Sequence, residues 1–189
     1  MTHAHELILG GQRSGKSRCS EGRAHAWLAA PGRSAVLLAT ALAGDGEMRE
    51  RIQRHRDDRA RRVPELATDE VPVALAQALA FHTAPSRLVV IDCLTLWLTN
   101  LLMPASGEPL AADAVDAARH ALCGALQRAS GPVLLVSNEI GMGVAPMSAP
   151  ARHFVDELGR LHQGVAALCP RVTLMIAGIE VAVKQGGAA

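Results

Sequence analysis

Aromatic side chains are nearly missing from this 189-residue chain: there is no tyrosine, and Trp27, Trp97, Phe81 and Phe154 are the whole set. The hydrophobic 49% comes instead from alanine, leucine and valine, enough for one sizeable aliphatic core. An excess of charge is lacking too. Nineteen Lys and Arg stand against eighteen Asp and Glu, for a formal net charge of +1, which removes any general electrostatic case for nucleic acid or an anionic membrane as partner. Cysteine is sparse and scattered: Cys19, Cys93, Cys123 and Cys169 show no C-x-x-C spacing. That argues against zinc or a disulfide framework and for small core residues in a reducing compartment. No apolar run reaches membrane-spanning length, and Met1–Glu6 is not a basic segment followed by a long apolar one. The expectation is a cytoplasmic protein with no membrane span. Repeats and long linkers are also missing, so residues 1–189 read as a single domain.

What is present begins at residue 10. Gly10-Gly11-Gln12-Arg13-Ser14-Gly15-Lys16-Ser17 spells G-x-x-x-x-G-K-S, the phosphate-binding loop of nucleoside triphosphate enzymes. It follows an apolar run, Leu7-Ile8-Leu9, and precedes a helical pattern from Lys16 to about Ala29, the strand–loop–helix context the motif requires. Glycines let backbone N–H groups turn inward around a phosphate, and the following helix adds its positive dipole end. Lys16 would meet the β- and γ-phosphates, and the Ser17 hydroxyl would hold magnesium.

Near-continuous apolar runs at 5–10, 35–40, 87–92, 132–137 and 172–177 read as buried strands of a parallel sheet. Helical patterns near 16–29, 46–61, 71–82, 94–102, 110–129 and 149–168 alternate with them. The expectation is a three-layer α/β/α phosphate-loop NTPase fold with a mainly parallel sheet. Ligands of such sheets bind beyond the carboxyl ends of the strands. The phosphate loop, Thr40-Ala41, Asp92-Cys93-Leu94-Thr95 and Asn138–Gly143 should therefore converge on one edge.

Asp92 closes the run Leu88-Val89-Val90-Ile91, where it could complete a magnesium shell or act as base towards a substrate hydroxyl; the plain alternative is a helix cap. Glu139, beside Asn138 and before Gly141-Met142-Gly143, is a similar placement or else a surface turn. The stretch Asp45–Arg59 is the most unusual. On a helix, Arg51, His55 and Arg59 fall at i, i+4 and i+8. Arginines there could bind phosphates while a neutral imidazole attacks phosphorus, although spacing alone is equally that of a solvated charged helix. The other histidines show no metal-ligand spacing, and no metal beyond magnesium is implied.

Several segments together resemble one family, the bifunctional adenosylcobinamide kinase / adenosylcobinamide-phosphate guanylyltransferases of cobalamin biosynthesis. The G-G-x-R-S-G-K-S loop, with Arg13-Ser14 inside it, is similar to theirs. So are Leu38-Ala39-Thr40-Ala41, the helix Glu47-Met48 through Arg51-Ile52-x-x-His55-Arg56, and Ile91-Asp92-Cys93-Leu94-Thr95-Leu96-Trp97-Leu98-Thr99-Asn100. Ser137-Asn138-Glu139-Ile140-Gly141-Met142-Gly143-Val144-Ala145-Pro146 and the helix from Arg152 to Gln163 extend the likeness to about residues 6–184.

The resemblance implies a RecA-like sheet, a homotrimer, and two reactions using ATP or GTP with Mg2+. The first phosphorylates adenosylcobinamide. In the second, GMP from GTP passes through a guanylyl-histidine to adenosylcobinamide phosphate, giving adenosylcobinamide-GDP. Catalysis would fall to His55, Lys16 and Asp92. Nucleotide contacts would come from Gly10, Gly11, Gln12, Arg13, Ser14, Gly15, Lys16, Ser17, Ala39, Thr40, Ala41, Arg56, Asp57, Asp58, Arg59, Glu70 and Asp92, with magnesium at Ser17 and Asp92. Three positions depart from the family pattern: Leu66 stands where Trp is usual, His162 where Asn is common, and Ala41 where Ser is common. Two other readings of the residues remain: a single-activity phosphate-loop kinase, and a nucleotide-binding switch without small-molecule chemistry.

Overall fold

The computed structural model describes residues 5–186. Residues 1–4, part of the segment read for a leader, and residues 187–189 of the tail expected to fray lie outside the described residues. Strands and helices alternate: β1 (Glu6–Gly10), α1 (Lys16–Leu28), β2 (Ser34–Ala39), α2 (Gly46–Arg62), β3 (Ala67–Glu70), α3 (Leu75–His82), β4 (Arg87–Asp92), α4 (Leu94–Leu102), α5 (Ala112–Arg128), β5 (Val133–Val136), α6 (Ala149–Leu168), β6 (Arg171–Ile176) and β7 (Ile179–Gln185). The sheet order is β3-β2-β4-β5-β1-β6-β7, parallel except for the β6–β7 hairpin.

The central strands are buried on both faces, and adjacent residues feed opposite layers. Leu7, Leu38, Val89, Ile91, Val133 and Leu135 join the larger core under α3, α4, α5 and α6. Their neighbours Leu37, Leu88, Val90 and Leu134 pack with Ala24 of α1 and with Val63 and Leu66. This is the expected three-layer arrangement. Leu66 lies buried in the second cluster, so an aliphatic side chain fills the place the family often gives to tryptophan.

Two strands escaped the sequence reading, β3 and β7, for a shared physical reason. Both are sheet edges and every residue of each is exposed: β3 has no apolar run, and β7 sets Ile179, Val181 and Val183 among Glu180, Lys184 and Gln185 instead of the longer apolar run of a doubly covered strand. Helix α3 begins at Leu75 rather than near 71 because Pro72 and Val73 form a turn. That turn is clamped from α4: Trp97 Nε1 donates to Val73 O at 2.8 Å, and Asn100 Nδ2 donates to Pro72 O at 2.9 Å and Thr40 O at 2.8 Å.

The four cysteines are free thiols, as expected, and burial raises each of them. Cys19 and Cys169 are pushed up to about 12 and Cys93 to about 11, while Cys123 is only half-buried. Because the thiolate is the reactive form, native protein treated with iodoacetamide at neutral pH should be alkylated first at Cys123. Mass spectrometry should find the other three modified only after denaturation.

Candidate nucleotide-binding and transfer site

The phosphate loop takes its shape from two backbone constraints. Gly10 has φ 152°, and a Cβ there would meet Met175 O at 2.5 Å and Ser14 Oγ at 2.6 Å. Gly15 has φ 100° and caps α1 with no side-chain bond, leaving the helix's first amides directed at the loop's hollow. Arg13 also adopts a left-handed conformation, φ 56°. The loop is held from both sides: Glu139 N donates to Gly10 O at 3.0 Å, and Gly178 N donates to Ser14 O at 2.9 Å. Inside it, the buried Lys16 ammonium donates to Gly11 O at 2.7 Å.

Beyond the carboxyl ends of β2, β4 and β5 opens a cleft of about 910 Å³, roofed by α2. The structure brings Gln12, Arg13, Ser14, Gly15, Lys16, Ser17, Ala39, Ala41, His55, Arg56, Asp58, Arg59, Glu70 and Asp92 onto its walls. Four candidates stand apart from the wall. Gly10 and Gly11 shape the loop from behind. Thr40 is fully buried, its hydroxyl donating to Cys93 O at 2.7 Å and accepting from Cys93 N at 2.9 Å, where the Asp92–Cys93 peptide is cis. Asp57 lies on the outer side of α2, accepting from Gln53 at 2.7 Å.

Arg51, read from sequence as one of the arginines that could bind phosphate beside His55, lines the cleft, and so does Arg62, which was not singled out. Nine Lys and Arg side chains (13, 16, 18, 49, 51, 54, 56, 59, 62) face four Asp and Glu (47, 58, 70, 92). A nearly neutral chain thus gathers its cations at one place, suited to a polyanion.

Helix α2 has no buried residue. Asp45 caps it, accepting from Met48 N at 2.7 Å, and polar contacts hold it down. Arg62 pairs with the buried Glu21 at 2.7 Å, Arg56 pairs with Glu70, and Arg59 donates to Thr68 at 3.2 Å. The edge strand β3 therefore anchors the histidine helix. This geometry turns Arg51, His55 and Arg59 towards Asp92 and Lys16. Burial raises the Asp92 carboxyl above the usual range, opposed by the charges of His55, Arg59, Lys16 and Arg51. Burial likewise depresses the Lys16 ammonium, opposed by Cys93 and Asp92. Glu139 is not on the cleft wall: its carboxylate accepts from Gly141 N at 2.6 Å, while its neighbour Asn138 does reach the cleft.

A phosphate loop, a parallel sheet and a cationic cleft at its carboxyl edge define a phosphate-loop nucleotide enzyme. One solved ATPase domain superposes over 100% of this chain and 79% of its own with TM-score 0.59 at 12% identity. A protein of Pyrococcus horikoshii OT3 superposes over 96% of this chain and 86% of its own with TM-score 0.57 at 6% identity. Both are likenesses of fold alone. Residues 6–183 match the model of the cobinamide kinase / cobinamide phosphate guanyltransferase family, and the chain belongs to that family. The bifunctional adenosylcobalamin biosynthesis protein CobP of Pseudomonas aeruginosa is 46% identical over 179 residues, 95% of this chain and 96% of that protein. CobU of Salmonella typhimurium is 37% identical over 94% of this chain and 98% of its own. CobU of Escherichia coli is 36% identical, over the same shares.

Gly10 and Gly11 should separate in their response to substitution. Gly10→Ala imposes strain of about 1–3 kcal/mol on top of the Met175 collision, so GTP affinity should fall about 10- to 100-fold by calorimetry. Gly11→Ala, where a Cβ meets nothing within 4 Å, should bind GTP nearly as wild type does.

Proposed function

We propose that this chain phosphorylates adenosylcobinamide with ATP or GTP, and then passes GMP from GTP through His55 to adenosylcobinamide phosphate. The observation that carries the reading is the placement of His55 across one cleft from Lys16, between Arg51 and Arg59 on the same helical face.

In the first reaction the acceptor hydroxyl attacks the γ-phosphorus, and the bond to the β-bridging oxygen breaks. Lys16 and the α1 amides stabilise charge on the transferred group. Asp92, on the same cleft wall, serves here either as acceptor of the hydroxyl proton or as a magnesium ligand.

In the second, an imidazole nitrogen attacks the α-phosphorus and pyrophosphate leaves with the bond's electron pair. A phosphate oxygen of the acceptor then attacks the same phosphorus, the P–N bond breaks, and His55 is restored. The arginines beside the ring hold phosphate oxygens in line for attack. Ser17 and Asp92 offer a hydroxyl and a carboxylate on the same wall, hard oxygen donors that fit Mg2+ carrying its remaining ligands from phosphate and water. Bound there, magnesium would neutralise phosphate charge.

We further take the working form to be a homotrimer of single-domain subunits acting in the cytoplasm. Two features are in keeping with this: the apolar residues Ile179, Val181 and Val183 exposed on edge strand β7, and, among the described residues, no helix long and apolar enough to cross a membrane.

Incubation with GTP labelled at the α-phosphorus is expected to leave acid-labile, alkali-stable label on the protein, and His55→Ala should abolish it. Label retained by that variant would assign the nucleophile elsewhere. Lys16→Ala should lower adenosylcobinamide kinase turnover by at least about 10²-fold in a coupled assay.

A further inference from the structure

The segment after β5 is fastened at both ends and apolar between. At its root, Glu139 N bonds to Gly10 O at 3.0 Å and Asn138 lines the cleft. At its far end, the Arg152 guanidinium donates to Pro146 O at 3.0 Å and Met147 O at 2.6 Å. Between them Met142, Val144 and Met147 are 77%, 98% and 97% exposed. From Ile140 to Met147 there is no charged residue. A loop whose backbone is tied down while its large apolar side chains meet solvent marks a binding surface.

Beneath the loop runs a buried chain of polar groups. Asn138 N donates to Thr95 Oγ1 at 2.8 Å, Thr95 Oγ1 lies 3.0 Å from Ser137 Oγ, and Ser137 Oγ lies 2.7 Å from His162 Nε2. On the ring's other side, His162 Nδ1 faces Glu139 Oε2 at 3.7 Å, and the same carboxylate accepts from Gly141 N. Burial lowers the His162 pKa, opposed by Glu139, so the ring is neutral near pH 7. Thr95 then donates to Ser137 and Ser137 to Nε2, leaving Nδ1–H towards Glu139. One histidine on α6 thereby meets both the network where the loop leaves β5 and the carboxylate that turns the chain at Gly141.

We propose that residues 138–147 form the docking wall for the phosphoryl acceptor, taking the uncharged, methyl-bearing edge of the corrin ring, and that His162 is the positioning residue that holds this wall beside the phosphate cradle. The inference rests on the reaction proposed above. Charge sorts the two occupants of the site. The wall formed by α2 is cationic and suits the triphosphate, while the loop from Ile140 to Met147 carries no charge and adjoins the same phosphate loop at its root, where Glu139 N meets Gly10 O and the Glu139 carboxylate turns back on Gly141. An acceptor lying there presents its hydroxyl to the cradle from the Asn138 wall of the cleft, while His55 reaches the same cleft from the α2 roof.

The test compares Michaelis constants for the two substrates, alongside label from α-labelled GTP, which needs no acceptor. The surface variant Met142→Ser/Val144→Ser/Met147→Ser should raise the adenosylcobinamide KM about tenfold or more while leaving the GTP KM and protein labelling within about twofold. His162→Leu, which cannot accept from Ser137, should do the same. His162→Gln, whose amide oxygen can reach the Nε2 position, should restore most of the loss. An unchanged acceptor KM in the surface variant overturns the proposal. So does a shift in sedimentation without a change in acceptor KM, which would give the loop to contacts with a second copy of the chain. If His162→Leu lowers acceptor and nucleotide binding alike, its role is in folding and the positioning assignment falls. Wild-type protein that binds and is labelled by GTP but turns over no adenosylcobinamide would overturn the proposed function itself.

Discussion

The site depends on how the backbone between β1 and α1 is held. A phosphate cradle works only if its amides point inward before ligand arrives, and such a backbone is strained at Gly10, Arg13 and Gly15. The sheet order supplies the restraint. β1 lies between β5 and β6, so the loop leaving it is gripped on one side by Glu139 N and on the other by Gly178 N. Replacing Gly10 is costly because β1–β6 pairing puts Met175 O within 2.5 Å of where a Cβ would sit. The same contacts make the segments after β5 and β6 part of the site's architecture, even where they touch no phosphate.

Across the cleft the physics is the opposite. Helix α2 contributes no buried residue and is fastened through Arg62–Glu21, Arg56–Glu70 and Arg59–Thr68. Most of these contacts are exposed, where ion pairs contribute at most about 1 kcal/mol each; Glu21, with its carboxylate nearly buried, is the firmer anchor. The guanidiniums that secure the helix are also the groups a triphosphate would attract. On the proposed mechanism, bound phosphate would compete with Glu70 and Thr68 for Arg56 and Arg59, which would link occupancy of the cleft to the position of His55. A rigid cradle facing a loosely held histidine helix suits the two proposed reactions at different phosphorus atoms.

Legibility in the sequence followed burial. Strands with a run of aliphatic residues, such as Leu88-Val89-Val90-Ile91, could be read directly because both their faces are covered. Ala67-Thr68-Asp69-Glu70 could not, because an exposed edge strand has the composition of a loop; its role in holding α2 became visible only with the register that sets it beside β2. The motif Lys16-Ser17 and the helical spacing of Arg51, His55 and Arg59 carried over into geometry intact. Asp57 did not, since a helix turns adjacent residues about 100° apart and sequence adjacency to Asp58 says nothing about facing the cleft. Glu139 reads as acidic and near a glycine loop, yet its carboxylate closes its own turn, and only the folded chain reveals His162 as its neighbour.

The placement of the two transfers follows from these unequal walls. Lys16 and the α1 amides are fixed relative to β1, so the phosphates they hold cannot travel far, and any choice between α- and γ-phosphorus must come from what approaches. In the proposed second transfer His55 would approach from α2, a helix held to β3 only through Arg56–Glu70 and Arg59–Thr68. A hydroxyl acceptor must approach where no cationic helix intervenes, which leaves the β5 side of the cradle at Asn138. On that side the backbone is tied by Gly10, Thr95 and Arg152, and the exposed side chains are apolar. On the proposed mechanism, a nucleophile on α2 and an acceptor on the β5 loop would use different walls of one cleft, so neither would need to displace the other between the two reactions.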